Sequence, residues 1–278
     1  MRFGISTHLY HGARLERDHL AEVAAHGFEA IELFATRTHF DYHDDAAIAR
    51  LADWLAGTGL ALHAVHAPTA MGFTGGVWGG TLSNASADPD ARRLAVAETA
   101  AALSIARHIP TSLLVVHLGV PGRPASPRDN DPEAARRSLE ELLELAAPVG
   151  VGLAVEVIPN ELSAPARLVG LLDEDLENGR IGLCLDYGHA FLMGDLVEAI
   201  ETVAGHLVTT HVHDNHGTSD EHLVPFDGAI DWAAALMATQ KVGYDGTLLL
   251  ELDGAGDPRG VLQRAQRARR RFEQMLAS

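Results

Sequence analysis

One cysteine, Cys184, stands in a chain of 278 residues. An intrachain disulfide is therefore excluded, as is any metal site built on a cysteine cluster. Lysine is equally scarce: Lys241 is the only one, so every other basic side chain is an arginine. The net charge is -17. So acidic a surface offers little counterion exchange with a phosphate backbone, which disfavours nucleic acid as a partner. The arginines Arg37, Arg123 and Arg128 lie in loops and leave room for a small phosphorylated ligand. Long apolar runs are missing too. None approaches the ~20 residues of a membrane span, and the start "MRFGISTHLY" lacks the apolar stretch of a secretory signal. The expectation is a cytoplasmic protein with no membrane partner; a homo-oligomer stays open.

What is present is a recurring strand–helix alternation. "RFGIS" (2–6), "FEAIELF" (28–34), "LALHAVH" (60–66), "SLLVVHLG" (112–119), "VGLAVEV" (151–157), "IGLCLD" (181–186), "LVTTHVHD" (207–214) and "GTLLLEL" (246–252) read as eight strands. They are Leu-, Val- and Ile-rich with little alternation, as parallel strands buried on both faces require. Helical periodicity fills the gaps, and Gly27, Gly59 and Gly150 sit where helices end. Eight βα units in this length predict a (β/α)8 TIM barrel, with a doubly wound open sheet as the alternative. No linker or low-complexity tract divides the chain, so residues 1–278 read as one domain. The irregular stretch 67–87, "APTAMGFTGGVWGGTLSNASA", reads as a substrate-covering loop at the barrel mouth.

A barrel performs its chemistry at the C-terminal strand ends. Those ends carry Glu32, His63 and His66, His117, Glu156, Asp186, His211 and His213, and Glu251. A histidine at one strand end is unremarkable. A single acid inside "LAVEVIP", after "IGLCL" and after "TLLL" is different, because an apolar strand buries a carboxylate at high cost unless a cation compensates it. Glu156, Asp186 and Glu251 at matching depth repel one another without such an ion. The loop "HVHDNHGTSDEHL" (211–223) then follows strand seven at the same rim, offering Asp220 and His222 from above.

These residues resemble the xylose-isomerase-like TIM-barrel superfamily, which includes sugar-phosphate isomerases and epimerases and the endonuclease IV enzymes. The likeness is strongest in "HAVHAP", "VVHLG", "VEV", "CLDYGHAF", "HVHDN", "DEHLVPFDGAIDW" and "LLLEL". It implies a single-metal site at Glu156, Asp186, His211 and Glu251, with Glu156 and Glu251 also acting as the acid/base pair. His189, Glu32 and His66 would contact substrate. The endonuclease IV pattern implies further ligands, and His66, His117, His189, Asp220 and His222 are all available. The resemblance thus implies one to three divalent ions, Mn, Mg, Co or Zn, and leaves their number open. Two activities follow as expectations. One is a metal-dependent isomerase or epimerase of a sugar or sugar phosphate, working through an enediolate. The alternative is a multinuclear zinc phosphoester hydrolase. A non-catalytic sugar- or metal-binding barrel is the third reading. Schiff-base chemistry is excluded in such a barrel, because Lys241 falls at the opposite, N-terminal rim. Cys184, Trp54 and Trp232 read as packing residues, and Arg92 and Arg93 as helix-surface charges.

Overall fold

A computed structural model describes residues 1–122, 126–175, 180–254 and 256–277. The described strands are β1 (Arg2–Ser6), β2 (Ala30–Phe34), β3 (Ala61–His66), β4 (Phe73–Thr74), β5 (Val77–Trp78), β6 (Leu113–Val116), β7 (Gly152–Glu156), β8 (Ile181–Asp186), β9 (Leu207–Val212) and β10 (Thr247–Leu250). Eight of them close a parallel barrel in the order β1-β10-β9-β8-β7-β6-β3-β2. Closure leaves no open edge, so the doubly wound alternative is ruled out. Each expected strand is present, trimmed by a few residues where the chain bends into a loop. Stretch 67–87 is more ordered than its glycines suggest. It holds the β4–β5 hairpin, in which Phe73 pairs with Trp78.

The helices are α1 (Arg17–Ala25), α2 (Asp45–Thr58), α3 (Pro89–Leu103), α4 (Pro132–Ala146), α5 (Pro165–Asp175), α6 (Tyr187–Met193), α7 (Leu196–Val203), α8 (Trp232–Lys241) and α9 (Pro258–Leu276). Part of the acidic excess has a structural use here. Asp44, Asp88, Asp131, Asp186, Asp195, Asp231 and Asp257 each cap a helix N-terminus through a side-chain oxygen. Each such cap is worth about 1 kcal/mol. Prolines at the first turn of α3, α4 and α9 reinforce the starts, since that position has no amide partner to lose.

Inside the barrel, Ala64, Val115, Ala154 and Cys184 form a small apolar layer. Strand side chains repeat every two residues, so the positions two further along point the same way and one layer higher. Those positions are His66, His117, Glu156 and Asp186. On β9 the same rule runs from Thr209 through His211 to His213. Period and barrel depth together bring these side chains to one rim. His63 does not join them. The β2–β3 register shifts by one residue between Ile31 and Glu32, and His63 sits a layer lower, its Nε2 2.9 Å from Thr209 Oγ1.

Candidate metal centre

Four of the rim residues, Glu156, Asp186, His211 and Glu251, place one potential ligand atom each within 4.8 Å of all the others. All four are buried. His211 Nδ1 lies 3.3 Å from Glu156 Oε1 and 3.3 Å from Glu251 Oε2. Its other nitrogen, Nε2, is 3.0 Å from Glu32 Oε2 and donates to it. Glu32 therefore fixes the ring's orientation and tautomer from below, the usual task of a carboxylate behind a ligating histidine. It was expected to contact substrate. Instead it is fully buried beneath His211 and does not line the cavity.

Two further groups adjoin the first. His66, His117 and Glu156 form one, with Glu156 Oε2 3.2 Å from His66 Nε2 and 3.0 Å from His117 Nε2. His189, His213, Asp220 and His222 form the other. The nine residues that the resemblance offered as ligands thus fall into three contiguous groups with Glu156 shared between two. His213 is an addition. It stands at the same strand end as His211 but has no part in the ligand set that the resemblance implies. Its Nε2 is 3.0 Å from Asp186 Oδ1, and its ring stacks on His222 at 4.0 Å between centroids. The period-two relation to His211 was the signal that could have placed it.

The donor chemistry fits a cation. His66 gives its Nδ1–H to the carbonyl of Ala67 (2.8 Å), His189 to Val157 (3.2 Å) and His222 to Glu251 (3.0 Å). In a neutral ring the remaining Nε2 is then a lone pair. Yet each Nε2 faces a carboxylate oxygen, at 3.2 Å from Glu156, 3.1 Å from Asp220 and 3.2 Å from Asp220 respectively. Two acceptors so close demand a positive charge between them, either a proton or a metal. Glu156 Oε1, Asp186 Oδ2, His211 Nδ1 and His213 Nε2 are moreover buried without a hydrogen-bond partner. Buried polar atoms of this kind are rare, and four that converge are donors free to hold a cation.

Protonation follows the same logic. Burial opposes charge on His66, but hydrogen bonding to Glu156 and that carboxylate's field lift the ring to about 9. Burial opposes charge on His222 too, and Asp220 lifts it to about 9. Burial would raise the carboxyl of Glu156, but the imidazoles of His117 and His211 hold it well below the usual range. Glu251 is held low against its burial by His211. His8 is the exception. Burial, with His222 nearby, pushes it down to about 3, so it is neutral.

The loop that delivers Asp220 and His222 is pinned by Asp214. The two oxygens of this buried carboxylate accept from the amides of Asn215 (2.9 Å), Ile230 (3.1 Å) and Phe226 (2.9 Å) and from Trp232 Nε1 (2.8 Å). Gly228 passes so near that a Cβ there would lie 2.4 Å from Asp214 Oδ1. Trp232 is therefore a loop anchor as well as a packing residue. His222 is held in left-handed backbone, φ 45°, uncommon for a residue with a side chain. His216 stays outside, paired with Glu221.

Above the groups opens a cavity of about 320 Å³. His66, His117, His189, Asp220, His222 and Glu251 line it together with His8, His11, Phe34, Trp78 and Asp253, the His8 ring lying 5.0 Å from that of His222 and Phe34 5.2 Å from His66. The hairpin thus reaches the mouth as expected, with Trp78 on the cavity. Of the loop arginines, Arg37 is exposed, Arg128 pairs with Asp88, and Arg123 lies outside the described residues. Arg92 binds Ser138 and Glu141 on α4, and Arg93 pairs with Asp90. Lys241 ends α8 and pairs with Glu201 at 2.7 Å. Cys184 lies in the barrel interior beside His211, its thiol pushed up by burial.

A closed parallel barrel with carboxylates and imidazoles gathered on its C-terminal rim defines the class: a (β/α)8 barrel with a candidate metal centre. Residues 20–274 match the family described as xylose isomerase-like TIM barrel, and the chain belongs to that family. It is 26% identical over 259 residues to the uncharacterized protein MJ1311 of Methanocaldococcus jannaschii, covering 90% of this chain and 83% of that one. It is 28% identical over 127 residues to an inosose isomerase of Bacillus subtilis, covering 41% and 44%. Among solved structures, a D-tagatose 3-epimerase-like protein superposes with a TM-score of 0.82 at 24% identity, covering 100% of this chain and 97% of that one. The IOLI protein with a bound zinc atom gives 0.78 at 18%, covering 100% and 98%. At these identities the two structures speak for the fold. No described helix is long and apolar enough to cross a membrane.

Proposed function

We propose that the protein is a metal-dependent isomerase or epimerase of a small polyhydroxy carbonyl compound, a sugar or sugar phosphate. One observation carries this reading. Glu156 and Glu251 flank His211 at 3.3 Å each, beneath a cavity of monosaccharide dimensions. Its volume lies at the small end of the ~300–1,000 Å³ typical of small-molecule sites. The names of an inosose isomerase and a D-tagatose 3-epimerase-like protein among the similar chains agree with it.

Glu156, Asp186, His211 and Glu251 would hold one divalent cation, which when bound supplies Lewis-acid polarisation of a carbonyl and its neighbouring hydroxyl. The remaining work belongs to the chain. Glu156 removes the carbon-bound proton next to the carbonyl, leaving the enediolate of the substrate. Glu251 returns a proton to the same carbon from the other side or to its neighbour, giving an epimer or an isomer respectively. His189 sits on the cavity wall, where its imidazole can bind a substrate oxygen, and Glu32 keeps His211 from rotating. His66 lines the cavity as well and borders Glu156.

The three contiguous ligand groups favour a second reading, a phosphoester hydrolase with a multinuclear centre. Counting metals distinguishes the two. Protein purified without chelators and analysed for metal per chain should carry about one firmly held ion under the first reading. Two or three zinc ions, with hydrolysis of a phosphomonoester, would establish the second.

A further inference from the structure

Away from the metal centre, the last helix departs from the acidic character of the rest. α9 carries six arginines and one acid, in a chain of net charge -17. Three of the six are committed: Arg259 pairs with Glu22, Arg264 with Asp227 and Arg269 with Glu273. Arg267 and Arg271 stand one turn apart with no carboxylate in ion-pair distance among the described residues, and like charges at this spacing repel. Both line a notch of about 180 Å³, together with Arg264, Ala268 and residues 224–227. The turn on its other side is strained. Residues 224–227, "VPFD", close with the Asp227 amide donating to the Val224 carbonyl at 3.0 Å. Pro225 stands second and Phe226 third, with φ 78°. This is the type II pattern, whose third position ordinarily takes glycine or asparagine, and a bulky residue there is an outlier. The phenyl ring is what the strain retains. It rests on Phe272 at 5.0 Å, and the Arg271 guanidinium lies over it, the guanidinium carbon 3.8 Å from the ring centroid. A guanidinium held over a ring spends its face and keeps its in-plane N–H donors for an oxyanion.

The geometry points to a binding site for one phosphate group in this notch, with Arg267 and Arg271 as donors and Phe226 holding Arg271 in place. Three guanidiniums and the Asp227 carboxylate leave a net charge of +2 there, the complement of a phosphate dianion. Asp227 stays engaged with Arg264 at 3.2 Å, so the donors that remain are those of Arg267 and Arg271. Acids farther than about 8 Å are screened at physiological salt, so this local balance decides the sign. The site is separate from the proton transfer but not from the loop that serves it. The Phe226 amide donates to Asp214 Oδ2 at 2.9 Å, the same carboxylate that pins the stretch carrying Asp220 and His222. A bound phosphate would therefore brace, from outside, the turn in which that stretch ends. The dianion can arrive as the free ion or as the end group of a monoester; both present the same oxygens.

The test titrates the full, metal-loaded chain, labelled with 15N at arginine, with inorganic phosphate at ionic strength held constant by sodium chloride. Proton–nitrogen NMR of the arginine Nε–H groups reads each guanidinium separately and is silent about phosphate at the metal centre. The signals of Arg267 and Arg271, assigned by their loss in Arg267→Gln and Arg271→Gln, should shift together along one saturating curve with a Kd on the order of 1 mM. In each of these variants the remaining arginine should respond with affinity weakened about 5- to 10-fold. Phe226→Gly, which relaxes the turn and removes the ring, should weaken binding about 2- to 5-fold. Arg50→Gln with Arg93→Gln, on α2 and α3, changes the net charge without touching the notch and should leave binding unchanged. Glycerol phosphate in place of the inorganic ion then distinguishes the two sources: tighter saturation marks a monoester as occupant, weaker saturation the free ion, and either supports the site. Shifts that rise linearly and alike at all arginines, an undiminished response of Arg271 in Arg267→Gln, or full affinity in Phe226→Gly would overturn it.

Discussion

Replacing Glu156 with glutamine isolates the charge at the centre of the site while keeping its shape. The wild-type carboxylate meets four imidazoles: His66 at 3.2 Å and His117 at 3.0 Å through Oε2, and His211 at 3.3 Å and His189 at 3.4 Å through Oε1. Glutamine fills the same volume but offers one acceptor and one donor group. His66 is already committed by its bond to Ala67, so an amide NH2 can satisfy its lone pair, and folding should survive. Catalysis should not. A positioned general base contributes about 10²- to 10⁴-fold, and an amide cannot act as one. Glu156→Gln should therefore lower kcat by about 10³-fold with a much smaller change in KM, and should abolish deuterium incorporation. Steady-state kinetics with each metal-loaded protein, alongside metal analysis and thermal melting, separates loss of the base from loss of ion or fold. A folded, metal-loaded variant that keeps more than about a tenth of wild-type kcat would refute the role of Glu156 as base.

Four further outcomes follow. In the metal-free protein His66 and His222 hold protons up to about pH 9, so metal must displace them. Calorimetry at pH 7 in buffers of different ionisation heat should show at least one proton released per ion bound, with affinity rising toward pH 9; no proton release would contradict the tautomer argument. Because the folded value of His66 lies above the ordinary 6.5, the stability it gives the metal-free chain is complete below pH 6.5 and is lost as pH rises through about 9. The loss is on the order of 3 kcal/mol, readable as a falling urea midpoint that bound metal removes. Asp214→Asn turns an NH2 group toward amide donors that now share four good bonds, and should cost about 2–4 kcal/mol while weakening metal at His189, Asp220 and His222 more than at His211; equal weakening at both would make Asp214 a general stability residue. Replacing Asp220 and His222 together by alanine should lower the metal count only if that group is occupied in the native protein, and metal analysis decides it.

How much of this was legible beforehand differs by level. The barrel was readable because eight apolar strands recur with helical periodicity between them, with Gly27, Gly59 and Gly150 marking helix ends. Glu156, Asp186 and Glu251 were readable because an acid inside an apolar strand has no cheap explanation. What escaped depends on relations across the barrel. Glu32 looked like any other rim acid until its partner, 179 positions away, proved to be the back of His211. His213 follows the period of His211, yet only the folded loop shows that its ring stacks on His222. His63 was misplaced by a one-residue register shift that no local pattern reveals. His8 and Asp253 were invisible because each is one polar residue at a chain turn, and it is the cavity that joins them.

The most direct measurement of the central claim is hydrogen exchange during turnover. The metal-loaded protein would be incubated with a panel of ketoses in D2O, the products resolved by NMR, and the experiment repeated after chelation and again after metal is restored. The account predicts a new epimer or isomer carrying deuterium on the carbon that changed, lost on chelation and recovered with metal. Absence of carbon-bound exchange from every ketose, by a folded and metal-loaded protein that cleaves a phosphoester, would contradict it.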